Sequence, residues 1–137
     1  MNNYSEKFEK MRNAGKLASQ TLDMLTDYVK PGISTDKIDQ LSYEFINDSG
    51  GYSAPLYYRG FKKSLCTSLN HVVCHGIPSD RILSEGDAVN IDVTAIVNEY
   101  YQNYSIAKKS GVNFLAYRCK ISRKGIKIEK KIKIIDE

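Results

Sequence analysis

Apolar positions recur at three- and four-residue steps from residue 5 to residue 29: Phe8, Met11, Gly15, Ala18, Leu22, Leu25 and Val29. That spacing places one apolar stripe along a helix and predicts an amphipathic helix packed on a core. Pro31-Gly32 stops it, because proline lacks the amide a further turn needs. Ser34 or Thr35 can cap a second helix with Ile38, Leu41 and Phe45 on one face, ended by Gly50-Gly51.

The period changes at Tyr52. "YSAPLYYRGFKKS" is aromatic and irregular, which predicts a loop with short strand pieces. "LCTSLNHVVCHGI" is rich in β-favouring residues and stops at Gly76 and Pro78. "SEGDAVNIDVTAIV" opens on a Glu-Gly-Asp turn and becomes a strand. Val89, Ile91, Val93 and Ala95 point to one face of it, and Asn90, Asp92 and Thr94 to the other. "YYQNYSIA" can return on that strand through Asn98-Glu99, where Asn-Gly would make the better two-residue turn. With that turn Thr94 faces Asn103 and Asp92 faces Ser105. Asn103 is then a diagonal neighbour of Asp92, within about 8 Å.

Length and composition bound the picture without changing it. The 137 residues suffice for one domain with a core, and 42% hydrophobic and 26% charged content is ordinary for a soluble protein. No apolar run reaches the ~18 residues of a membrane span. "MNNYSEKFEKMRN" lacks the apolar segment of a secretory signal. The expectation is a cytoplasmic protein. Cys66, Cys74 and Cys119 form no CxxC and read as reduced thiols.

Charge does change the picture. The net +4 hides a break: residues 1–104 hold 10 Lys/Arg against 13 Asp/Glu, a net −3, whereas residues 105–137 hold 10 against 3, a net +7. The last stretch, "RKGIKIEKKIKIIDE", is nearly all Lys and Ile and alternates in part with period two, which admits a strand.

Few residues can carry chemistry. His71 and His75 are the only histidines. Four apart on a helix they would share a zinc, but the Val-Val and Gly-Ile-Pro around them argue for extended chain. On a strand they stand about 13 Å apart, too far for one metal, so they have separate roles. Asp92 is more telling. A carboxylate in an apolar strand must be paired, hydrogen-bonded or metal-bound. A second carboxylate at position 103 would allow two divalent ions ~3.5–4 Å apart. Asn103 offers a neutral carbonyl oxygen instead.

From Glu9 to Ser105 the chain resembles the type I methionine aminopeptidases. The resemblance rests on "KMRNAGKLASQTLDML", "VKPGISTDKID", "SAPLYYRGFKKSLCTSLNHVVCHGIP" and "EGDAVNIDVT"; "CHGIP" together with "GDAVNIDVT" is the most specific part. It implies an α+β fold, the N-terminal half of a pita-bread (creatinase/aminopeptidase-like) architecture, with two N-terminal helices against an antiparallel sheet. It implies removal of initiator methionine by two-metal hydrolysis with Co, Mn, Fe or Zn. It makes Asp92 a metal ligand, and His75 a catalytic residue that contacts substrate and assists at the tetrahedral intermediate. Tyr58, Phe61 and Cys66 match positions lining the methionine pocket. Asn90 and Val93 match positions near a monovalent cation. Nascent peptide N-termini or the ribosome are the implied partners.

The departures set the expected outcome. Asn103 stands where the family has its second metal aspartate. The resemblance ends after Ser105, which divides the chain into residues 1–105, the family-like half, and a basic tail over 106–137. The family's later half supplies a histidine and two glutamates; here no histidine follows His75. A truncated relative, binding metal weakly or not at all and inactive alone, is the expectation. A shifted reading frame in an AT-rich gene would account for the tail. Two alternatives stand beside it: a non-catalytic protein whose +7 tail binds RNA or ribosome non-specifically, and one piece of a split aminopeptidase. Half of the fold leaves strand edges and apolar surface uncovered, and a strand in the tail can cover one edge.

Overall fold

The computed structural model describes residues 4–97, 114–122 and 125–133, with side chains described at residues 9, 10 and 12–97. Helix α1 spans Tyr4–Thr26 and helix α2 spans Thr35–Asp48. Strands follow at β1 (Gly51–Ser53), β2 (Cys66–Leu69), β3 (Ala88–Val93), β4 (Ala95–Val97), β5 (Phe114–Ser122) and β6 (Gly125–Lys133). A short 3-10 turn, Tyr58–Gly60, lies between β1 and β2.

The helical stripe read from periodicity is the buried one. Gly15 is half-buried. Ala18, Leu22, Leu25 and Val29 are all 3% exposed or less, and Leu17, outside that stripe, is 5% exposed. They pack with Ile38 and Ile46 of α2, with Leu65 and Leu83, and with Val89, Ile91 and Val93 of β3. Phe8 and Met11 belong to the residues whose side chains are outside the description. Helix α1 ends three residues before Val29, which is buried at 1% from the turn that follows. Ser34 caps α2, accepting a hydrogen bond from the Lys37 amide at 3.1 Å. Thr35 is the first helical residue, and its hydroxyl exchanges hydrogen bonds with the Ser79 backbone, both at 2.9 Å. The start of α2 is thereby anchored to the loop that leads into β3.

All described pairings are antiparallel. One sheet has the order β2-β3-β5-β6 and a smaller one pairs β1 with β4. The basic tail over 106–137 thus contributes two strands, the second of them from its Lys/Ile-rich stretch, and β5 covers the edge of β3 opposite β2. Residues 98–113, which include the Asn98-Glu99 turn and Asn103, lie outside the described residues.

Two expectations for this region are corrected. The strand predicted through residues 88–97 breaks at Thr94, where the chain leaves one sheet for the other. Val93, Thr94 and Ala95 are buried consecutively, at 0%, 6% and 4%. At the crossover both faces are covered, so the in-out alternation that puts Thr94 with Asp92 does not hold.

The second correction concerns the stretch after β2. It does not run extended to His75 but turns at Asn70, which adopts φ +50°. Asn70 is held there on three sides. Its amide donates to the Ala88 carbonyl (2.8 Å), its side-chain carbonyl accepts from the Ala88 amide (3.0 Å) and its side-chain amide donates to Asp87 (3.0 Å). The β-favouring Val72 and Val73 sit on an exposed loop, Val73 at 89%. Local hydrogen bonding at one asparagine has overridden strand propensity. Among the described residues no helix is long and apolar enough to cross a membrane.

Candidate functional site

The site is built on one face of β2 and β3. Register places Cys66 opposite Asp92 and Ser68 opposite Asn90, so these four side chains share a face. Thr67, Val89 and Ile91 take the core face, and all are buried. β2 is an edge strand, and the amide of Thr67 points outward from the sheet. The loop over residues 70–78 returns to fill that edge: the Thr67 amide donates to the Gly76 carbonyl at 2.8 Å. The Gly76 amide donates to the Ser68 hydroxyl at 3.0 Å. A Cβ on Gly76 would fall on the Thr67 carbonyl and the Ser68 backbone. Cys66, Thr67 and Ser68 are therefore buried in succession, one face under the core and the other under the loop.

This fold-back brings His75 to Asp92. His75 has φ +55°, a left-handed conformation that strains a residue with a Cβ. Asp92 is half-buried, and its Oδ1 has no hydrogen-bond partner among the described residues. Burial raises its carboxyl above the usual carboxylate range, and the charge of His75 partly offsets that. Cys66 behaves differently. Burial, with Asp92, Cys74 and Asp39 adding to it, pushes its thiol up to about 11. A thiol held protonated at neutral pH is a poor nucleophile, so Cys66 presents a soft apolar surface on this face.

Tyr58 and Phe61 stand on the 3-10 turn before β2. The turn is tight: Tyr57 and Arg59 have φ of +65° and +49°, and the Phe61 amide donates to the Tyr58 carbonyl at 3.0 Å. The Arg59 guanidinium lies 5.5 Å from the centre of the Tyr58 ring, within cation–π range. Tyr58 is 38% exposed and Phe61 half-buried. Asn90 is half-buried on the site face, and Val93 is wholly buried in the core. His71 is exposed on the loop. Asn103 lies outside the described residues.

The supporting residues escaped sequence reasoning. Asp87 is 8% exposed and accepts from Asn70, from the Ser84 amide (2.8 Å) and from Arg81 (3.3 Å). Hydrogen bonds from Asn70 and Ser84 hold its carboxyl below the usual range. The Glu-Gly-Asp turn was its only local signal. Ser68 and Asp39 carried none.

Asp92 sets a pH-dependent stability with a definite sign. The folded state binds this proton more tightly than the unfolded chain, so stability falls as pH rises through the ordinary carboxylate range toward the raised folded value. Asp92→Asn removes the cost of burying the charge. The variant is expected to melt higher than the parent at pH 7, with the advantage shrinking below about pH 4. Thermal melts of both proteins across that range check this, and a lower melting point for the variant at pH 7 contradicts it.

A divalent metal is the group this architecture implies. A buried carboxylate oxygen without a partner fits the part of one ligand. Among the described residues no three His, Cys, Asp or Glu side chains are grouped to hold an ion. The described residues therefore offer one carboxylate suited to a metal, not a complete centre.

Comparison with known proteins gives this geometry its relatives. The pattern of metallopeptidase family M24 matches residues 9–107. The methionine aminopeptidase of Rickettsia prowazekii is 55% identical over 98 residues, 72% of this chain and 38% of the relative. That of Escherichia coli K12 is 49% identical over 102 residues, 73% of this chain and 39% of the relative. The crystal structure of the Rickettsia prowazekii enzyme superimposes with a TM-score of 0.70 at 44% identity, covering 86% of this chain and 42% of that one. The chain thus spans about two-fifths of the length of the relatives it matches. The likeness bears out the α+β pita-bread half expected from the sequence.

Proposed function

Since the chain belongs to metallopeptidase family M24, we propose that its β2–β3 face is the first half of a site for N-terminal methionine. Asp92 is the first metal ligand in this reading and His75 the neighbouring group that contacts substrate. Cys66, Tyr58 and Phe61 line the pocket for the methionine side chain. A thiol and aromatic rings suit a thioether. The observation that carries the reading is the Oδ1 of Asp92, without a hydrogen-bond partner among the described residues, in a half-buried carboxylate opposite Cys66. Nascent chains in the cytoplasm are the proposed substrates.

The proposal includes a limit. A catalytic metal takes three protein ligands and a water, and the 137-residue sequence has no histidine after His75 and an asparagine at 103. One carboxylate holds a divalent ion too weakly to activate water. The 137-residue chain alone is expected to release no methionine from Met-Ala-Ser with added Mn²⁺ or Co²⁺. Mixing it with the portion of the Rickettsia prowazekii relative that it does not match is expected to give turnover that Asp92→Ala abolishes. Metal-dependent release by the chain alone, lost in Asp92→Ala, would overturn the limit. Failure of every mixture to hydrolyse the tripeptide, including one made with Asn103→Asp, with both pieces folded, would overturn the assignment of the site.

A further inference from the structure

We propose that Ser68 is the positioning residue for His75, acting through the backbone amide of Gly76. The inference rests on the reading of His75 given above and extends it to a residue one strand position beyond Thr67. Ser68 is 5% exposed, on the same face as Cys66 and Asp92. Its hydroxyl accepts from the Gly76 amide at 3.0 Å.

That bond fixes a particular plane. The peptide between His75 and Gly76 carries the Gly76 N–H, so Ser68 sets its orientation. The next peptide carries the Gly76 carbonyl, which the Thr67 amide holds at 2.8 Å. The two bonds anchor consecutive peptide planes of the loop to consecutive residues of β2. His75 is the residue whose ψ torsion ends on the first of those planes.

Nothing else described holds the imidazole. His75 is exposed, so packing does not orient its ring. Its φ of +55° is one that a residue with a Cβ leaves when free to do so. The strain of one left-handed residue and the worth of one hydrogen bond are of the same order. Removal of the Ser68 acceptor therefore frees the peptide to rotate and carries the imidazole away from the Asp92–Cys66 face. The serine is suited to the task because a short hydroxyl on a strand reaches the adjoining backbone without crossing the face it borders. Ser68 itself contacts neither metal nor substrate in this assignment.

The test uses the full chain, isotopically labelled, without metal or substrate. Ser68→Ala is expected to speed hydrogen exchange at the Gly76 amide by about tenfold or more. It is expected to remove the left-handed coupling and shift signature of His75 and its cross-peaks to Asp92. The Ile91 amide, in the centre of the sheet, keeps its protection. Ser68→Thr keeps the acceptor and is expected to restore all three signals. If Ser68→Ala lowers Ile91 protection as well, Ser68→Cys, which keeps the volume with a weaker acceptor, decides. The expected result is then a faster Gly76 amide and a displaced His75 with Ile91 intact. Retention of the His75 signature in either folded variant, despite a fast Gly76 amide, overturns the proposal. Because no turnover is measured, this result is independent of whether the site hydrolyses methionyl peptides.

Discussion

Asp39→Ala is expected to lower folding stability by about 4 kcal/mol, the largest loss foreseen for a side chain outside the site. Asp39 is 9% exposed on α2. Its Oδ1 accepts from the Ser64 amide (2.7 Å), the Ser64 hydroxyl (2.7 Å) and the Leu65 amide (3.1 Å). Ser64 and Leu65 are 1% and 0% exposed and lead directly into β2. Alanine leaves two buried amides without that acceptor, each loss costing roughly 1–3 kcal/mol, while the Ser64 hydroxyl keeps the Asp39 backbone carbonyl at 3.0 Å. Asparagine keeps an acceptor oxygen and is expected to recover most of the loss, short by the roughly 1 kcal/mol that charge adds to such bonds. Chemical denaturation of parent, Asp39→Ala and Asp39→Asn measures this. An alanine variant within about 1 kcal/mol of the parent would show that the α2–β2 junction is held otherwise.

Gly76→Ala is expected to cost about 3 kcal/mol. The new methyl group meets backbone rather than the end of a flexible side chain, so the loop must lift from β2 as a unit. Both the Thr67–Gly76 and Gly76–Ser68 hydrogen bonds then lengthen or break. A second consequence separates this from general destabilisation. Cys66 lies 9% exposed beneath the loop with its thiol pushed up to about 11, and it is expected to resist iodoacetamide at pH 8 in the parent while exposed Cys74 reacts. In Gly76→Ala, modification of Cys66 becomes measurable under conditions where the fold is still populated. Unchanged protection of Cys66 together with an unchanged melt would contradict the fold-back as described.

What could be read from the sequence was whatever a single element expresses by itself. Leu22, Leu25 and Val29 announce a buried helical face by spacing, and Val89, Ile91 and Val93 announce a buried strand face by alternation. The serine before α2 announces its cap. Asp92 stood out because a carboxylate on such a strand needs a reason. Residues whose role depends on distant partners were silent. Asp39 follows Ile38 on a helix and reads as one more polar position; its partners lie 25 and 26 residues later. Val72 and Val73 read as strand because propensity is local, whereas the turn at Asn70 is imposed from Asp87 and Ala88. The division of residues 88–97 between two sheets was hidden for the same reason: β4 pairs with β1, far back in the chain.

The order in which the layers are made has a consequence for biosynthesis. Both helices are complete by Asp48, yet β3 and β4, the strands that close the apolar face of α1, do not begin until Ala88 and Ala95. At roughly 5–20 residues per second, ribosomal elongation leaves that surface open for several seconds. Leu17, Leu22, Leu25, Ile38 and Ile46 are in that interval a hydrophobic patch on an emerging chain. The segment that seals the patch is the same one that delivers Asp92. Until it emerges the apolar face of the nascent helices stays uncovered, and the carboxylate reaches its place in the step that ends that exposure.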